Sequence, residues 1–224
     1  MSSGKSVLVD KICQASKTKN LVPGHHLSGC CLEYRYFDVR DEETDDWISR
    51  MGIWILDGVV YHSDLLKFAL KKDDVDNTLV MIVVDLSKPW NIMESLERWV
   101  DVVQRHVNSL DIPPEDMRSM EAQLVERFRQ YVDPEEQSHT DGTTEGSHVS
   151  LPLDDSVLSH NLGLPLIVVG TKSDAFPHLE KEHGYKEEHY DFIQQNIRKF
   201  CLKCILFVIP VSYTHLTLPT ICSV

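Results

Sequence analysis

A chain of 224 residues, 42% apolar and 25% charged, has a globular composition and is long enough for one α/β domain with a real core. Its net charge of −13 argues against a general nucleic-acid surface or anionic-membrane surface, and no window reaches the roughly 18 apolar residues of a membrane-spanning helix. Six cysteines follow a front end, Met1–Asp10, without secretory character, and Cys201 to Cys204 has no second pair to complete a metal site, so a reduced intracellular protein is expected.

At the front, Ser2-Ser3-Gly4-Lys5-Ser6 leads into Val7 to Gln14, where Val7, Leu8 and Ile12 lie near helical spacing. Gly-Lys-Ser entering a helix is the end of a phosphate-binding loop. There the Lys reaches the β and γ phosphates, the Ser hydroxyl reaches Mg²⁺, and backbone N–H groups cradle the anion. Ser2, Ser3, Gly4, Lys5 and Ser6 are therefore candidate nucleotide contacts, Ser6 also through Mg²⁺. The first Gly of a complete loop, and the strand that feeds it, would precede Met1. Either the match is accidental or the chain is truncated at its front.

Residues 18–30 read as a loop. Leu32, Tyr34 and Tyr36 alternate with Glu33 and Arg35, the period of a half-buried strand. After an acidic turn at Asp41–Asp46, Ile53–Leu56 is a second strand, and the two predict an antiparallel hairpin. It ends in Asp57-Gly58, where P-loop proteins keep a Mg²⁺-associated carboxylate; a plain turn aspartate is the other reading. Tyr61–Leu70 reads as a short helix.

Thr78–Asp85 is an apolar strand followed by Ser-Lys-Pro-Trp. Leu96, Trp99, Val100, Val103 and Val107 make one face of an amphipathic helix, and Pro114 starts another carrying Met117, Met120, Leu124, Phe128 and Tyr131 as a core stripe. The polar stretch 133–150 reads as a flexible acidic insertion within one domain. Leu166–Val169 is an unbroken run rich in β-branched residues, as expected of a strand buried on both faces of a parallel sheet. It ends in Thr171-Lys172-Ser173-Asp174, where open α/β sheets bind ligands. A Lys stem can lie along a planar base, and an Asp two residues on can accept from ring N–H and amino donors. Thr171, Lys172 and Asp174 are candidate base contacts, against the plainer reading of a polar strand-end turn. A helix over Lys186–Phe200 and a strand over Ile205–Ile209 complete the domain.

With one strand added in front, this order predicts an α/β fold: a P-loop GTPase-like sheet with helices on both faces. Gly4-Lys5-Ser6, Asp57-Gly58 and Thr171-Lys172-Ser173-Asp174 then stand in the order such proteins use, and Ser6 and Asp57 are the candidate Mg²⁺ ligands. The hydrolytic apparatus is thin. A GTPase has Asp-x-x-Gly and a water-positioning Gln beyond it, whereas Asp57 is followed by Gly58, Val59, Val60 and Tyr61. These residues predict a nucleotide kept as a structural ligand, with no catalytic residue assigned.

The segments Leu32–Tyr36, Trp54–Gly58, Leu65–Phe68, Asp85–Trp90, Ile112–Met117, His160–Pro165, Leu179–His183 and Phe192–Cys201 together resemble the light intermediate chain of cytoplasmic dynein. The resemblance runs from about Gly4 to about Cys201 and implies a Ras-like nucleotide-binding domain over 1–210, incomplete for want of its N-terminal strand. It implies a cytoplasmic, microtubule-associated motor subunit that docks on the dynein heavy chain, with cargo adaptors bound only through a C-terminal region absent here. It also implies a purine nucleotide, ATP or GTP/GDP, with Mg²⁺, and Thr-Lys-x-Asp leaves the base open. Residues 211–224 carry no periodicity and read as a non-native tail.

Overall fold

The computed structural model describes residues 3–15, 31–41, 44–130, 161–204 and 206–210. Ser2, the 18–30 loop, the 133–150 insertion and the 211–224 tail lie outside them. The chain forms two compact units, Met1–Lys71 and Lys72–Val224.

In the first unit, helix α1 runs over Lys5–Ala15. Gly4 precedes it at φ 77°, a left-handed conformation that glycine adopts without steric cost, and its carbonyl accepts from the Leu8 amide at 2.9 Å. Strands β1 (Leu32–Arg40) and β2 (Trp47–Leu56) form the expected antiparallel hairpin, with Leu32 opposite Leu56 and Phe37 opposite Met51. Val9 and Cys13 of α1 bury against Phe37 and Ile55, with Ile12, Val39 and Ile53 at the margin. The half-buried period of β1 holds, but the face that carries Tyr34 turns away from α1. Strand side chains alternate, so burying Phe37 and Val39 turns Tyr34 outward, 49% exposed, against Trp54 at a ring-centroid distance of 4.6 Å. Beyond β2 the expected helix is instead a 3₁₀ turn, Val60–Leu65, running into a single helical turn, α2, over Leu66–Ala69.

The second unit is built on a parallel sheet in the order β3 (Val80–Asp85), β4 (Leu166–Thr171), β5 (Leu206–Pro210). Val80 pairs with Leu166, and Asp85 with Thr171, so β3 and β4 end at the same level. Leu166, Val168 and Val169 are almost wholly buried, as their apolar run predicts. Helix α3 (Ile92–Ser109) packs on β3, burying Leu96, Val100, Val103 and Val107 along the predicted stripe. Helix α4 (Pro114–Gln130) starts at its proline, with Met120 and Leu124 buried. Helix α5 (Phe176–His183) has no counterpart among the sequence expectations; it starts beside Pro177 and stops at Gly184, φ 65°. Helix α6 (Glu187–Cys204) then leads to β5. Among the described residues, β2 and β3 each have a ladder partner on one edge, β1 and β4 respectively. No helix among them is long and apolar enough to cross a membrane.

Candidate functional site

The candidate residues fall into two corners, one in each unit, and each pairs a lysine with an aspartate. In the first unit, Lys5 opens α1 and its ammonium lies against Gly58, so that a Cβ there would stand 3.6 Å from Nζ. Nζ donates to Ser3 Oγ at 3.0 Å. Burial lowers the Lys5 pKa from its ordinary value, and the charge of Asp57 opposes that shift in part. Ser6 follows in the first helical turn, half-buried.

Asp57 stands just past the end of β2. Its amide donates to the Cys31 carbonyl at 2.9 Å, which ties the end of β2 to the start of β1. Its Oδ1 accepts from the Gly58 amide at 2.6 Å, and its Oδ2 lies 3.5 Å from His62 Nδ1. His62 Nε2 in turn lies 3.3 Å from Cys31 Sγ. Thus Gly4, Lys5, Ser6 and Asp57 come together at the start of α1, with Ser3 beneath the ammonium. Cys31 and His62 were not among the sequence candidates; neither lies in a recognisable spacing with the other.

A phosphate-bearing ligand fits this corner. The lysine is desolvated with one neutral and one carboxylate neighbour, and an anion at the helix start would restore what burial removes. Residues Lys5 and Ser6, with the α1 amides, would hold the phosphates. A divalent ion beside Ser6 and Asp57 would take its remaining oxygen ligands from phosphate and water. Among the described residues there is no group of three or more His, Cys, Asp or Glu side chains that could hold a metal.

In the second unit, the ends of β3 and β4 converge. Thr171 is fully buried and its hydroxyl donates across the sheet to the Val84 carbonyl at 3.0 Å. Lys172 follows at φ 62°, a left-handed turn that swings its side chain back over the strand ends. Its Nζ lies 2.6 Å from Asp85 Oδ2. Asp85 Oδ1 accepts from the Ser87 amide at 3.0 Å and from its hydroxyl at 2.5 Å. Burial alone would raise the Asp85 pKa, but the Lys172 and Ser87 hydrogen bonds outweigh it and hold the carboxyl below its usual range. Asp174 is exposed on the 3₁₀ turn Ser173–Ala175 that follows. Asp85 and Ser87 are the residues that sequence reasoning left out here; an acid at the end of an apolar strand was the available signal.

A mixed α/β fold with a helix-start lysine and a strand-end Thr-Lys-x-Asp belongs to the Ras-like fold class. A solved structure described as the conserved domain of the dynein light intermediate chain is similar at a TM-score of 0.63 and 29% identity, over 84% of this chain and 60% of that one. The family model of the dynein light intermediate chain matches residues 1–214, and the chain belongs to that family. Cytoplasmic dynein 1 light intermediate chain 1 of Mus musculus is 48% identical over 215 residues, 91% of this chain and 41% of that protein. The protein of the same name from Homo sapiens is 46% identical over 209 residues, 90% and 38% of the two chains. That of Dictyostelium discoideum is 29% identical over 242 residues, covering 90% and 47%. The chain therefore spans less than half the length of these relatives. The resemblance and the Ras-like fold class read from the residues are both borne out.

Proposed function

We propose that the chain acts as a non-catalytic subunit of the cytoplasmic dynein motor complex, binding the dynein heavy chain and supporting microtubule-based transport in the cytoplasm. The observation that carries this reading is the extent of the family match, residues 1–214, which takes in both units and the hairpin and helices that have no part in nucleotide chemistry. The site supports it too. Lys172 is engaged with Asp85 within the chain, and Asp57 is followed by Gly58, Val59, Val60 and Tyr61, without the Asp-x-x-Gly and Gln that a GTPase uses to position water. A purine nucleotide with Mg²⁺, its phosphates on Lys5 and Ser6, then serves as a structural ligand. When bound, the nucleotide supplies negative charge to the helix start, and Lys5 and Ser6 orient it. Separately, the Thr-Lys-x-Asp pattern makes Thr171, Lys172 and Asp174 proposed base contacts.

The test is co-purification with the heavy chain alongside nucleotide turnover. The expected result is heavy-chain recovery unchanged by Lys5→Ala and GTP turnover at background. The second reading, a small regulatory GTPase, draws on the desolvated Lys5 beside Asp57. GTP turnover that collapses on Lys5→Ala, with no heavy chain recovered, would establish that reading instead.

A further inference from the structure

Helix α1 covers one face of the β1–β2 hairpin, and the other face is aromatic and open to water. Strand alternation puts Tyr34, Tyr36 and Asp38 of β1 on that outer face, opposite Trp54, Gly52 and Arg50 of β2. These side chains order one another. Tyr34 packs on Trp54 at a ring-centroid distance of 4.6 Å and lies over Gly52, where a Cβ would come within 2.7 Å of the Tyr34 hydroxyl. The Arg50 guanidinium stands 4.7 Å from the centre of the Tyr36 ring, and Arg50 Nε donates to Asp38 Oδ1 at 2.8 Å. Asp38 also accepts from the Trp47 indole, which brings Trp47, beyond the bulge, onto the same face.

Trp47 and Trp54 mark the two ends of this row and are 61% and 44% exposed. Contiguous exposed aromatics mark docking surfaces, where Trp and Tyr are the usual anchors, and side chains already held in place lose less entropy on binding. The size of the face fits a helix. Two strands about 4.8 Å apart are about one helix wide, as α1 shows on the inner side. From Trp47 to Trp54 the row runs about 23 Å at about 3.3 Å per residue, the length of about 15 residues of α-helix. Charge selects among helices. Residues 38–50 carry six carboxylates and two arginines, and both arginines pair with acids of the hairpin, Arg40 with Asp45 and Arg50 with Asp38. With the chain at −13, a second copy is repelled and a cationic helix is attracted.

We propose that the outer face of the hairpin docks a basic amphipathic α-helix of another protein. The apolar stripe of that helix, at i, i+3, i+4 and i+7, lies along Trp54, Tyr34 and Trp47, and its cationic side chains meet the acids of the Asp41–Asp46 turn. The hairpin then has a helix on each face, the layering that α/β sheets use. The surface goes beyond the motor-subunit reading: it lies wholly in the first unit, uses none of the candidate nucleotide contacts, and its test involves no motor chain.

The test titrates the full chain into fluorescein-labelled peptides of about 15 residues and reads their anisotropy. The first peptide has a leucine stripe at i, i+3, i+4 and i+7, alanines between, and lysines on its polar face. The second has glutamate for every lysine, and the third scrambles the first so that no stripe remains. The lysine stripe peptide is expected to bind at least about tenfold more tightly than either of the others. Trp54→Ala and Trp47→Ala should each weaken it about tenfold. Phe192→Ala removes an aromatic of 66% exposure on α6 and should leave it unchanged. Urea midpoints show which variants keep the fold; both tryptophans are exposed, and either one suffices for the decision. Changing Asp45 and Asp46 together to lysine should narrow the gap between the lysine and glutamate peptides. A lysine peptide that fails to saturate below about 1 mM overturns the proposal. So does binding that the tryptophan variants leave unchanged, or that the scrambled peptide matches, since charge alone then accounts for it. A chain that sediments as a dimer and becomes a monomer with Trp54→Ala gives the face to a second copy, which overturns it as well.

Discussion

Lys5 and Lys172 each stand near an aspartate, yet their environments differ in kind. Lys172 donates to Asp85 at 2.6 Å, and Ser87 fills the other oxygen of that carboxylate. The result is a closed network at the C-terminal ends of β3 and β4, whose electrostatics the chain satisfies by itself. Lys5 donates to the neutral Ser3 hydroxyl and feels Asp57 only through space, while burial works against its charge. An outside anion would fit the first corner, while the charges of the second are satisfied within the fold. A strand-end lysine can thus have its charge taken up by a neighbouring carboxylate while it keeps its place in the motif.

Removing the platform of the second corner should have the largest effect. Leu166→Ala, at a wholly buried position on β4, is expected to cost about 2–5 kcal/mol in urea unfolding. Breaking the network itself comes next. Lys172→Met leaves Asp85 partly buried with Ser87 alone and should cost about 1–3 kcal/mol. The pH dependence follows from the depressed Asp85 carboxyl. Its stabilisation is fully present above the unfolded pKa of 3.8 and is lost as pH falls through the lower folded value. Lys172→Met shrinks that depression, so acid unfolding curves of the variant should lose less stability below pH 3.8 than those of the parent. Thr171→Val removes the cross-sheet bond to Val84 and should cost about 1 kcal/mol.

The smallest stability change is expected at the first corner. Lys5→Met removes a charge that burial disfavours, so unfolding free energy should stay within about 0.5 kcal/mol or rise. The slope has the same sign as for Asp85, because both pKa values are lowered on folding, but at neutral pH the Asp85 shift stabilises the fold and the Lys5 shift costs it stability. The folded Lys5 pKa lies below 10.5, so the unfolded chain holds more protons between the two values and stability rises with pH there. That rise should vanish in Lys5→Met. A large loss of stability in Lys5→Met would erase the contrast between the corners.

Much of this was legible in the sequence because the informative residues are local. Leu166–Val169 announces a doubly covered strand by its unbroken apolar run, and Pro114 announces the start of α4. Lys5 was singled out by Gly-Lys-Ser and Asp57 by its place past a strand's end, and the structure brings the two together. What was missed depends on distant partners. Asp85 gains its role from Lys172, 87 positions away, and no spacing rule connects them. Cys31 meets His62 across 31 positions, through a 3₁₀ turn where a helix was expected. The buried face of β1 could not be assigned from alternation alone, since both Tyr34 and Phe37 are apolar; the side that α1 covers decides it. Helix α5 is too short to show a full stripe, so only Pro177 and Gly184 mark it.

The central claim is that this fold serves as a scaffold for a motor chain, and that the closed corner sustains the scaffold while the anion corner does not. Co-purification of the dynein heavy chain with the full chain, compared for Lys5→Met and Lys172→Met, tests it most directly. The account predicts parental recovery with Lys5→Met and recovery with Lys172→Met reduced in step with its loss of stability. Heavy chain lost with Lys5→Met and kept with Lys172→Met would contradict it.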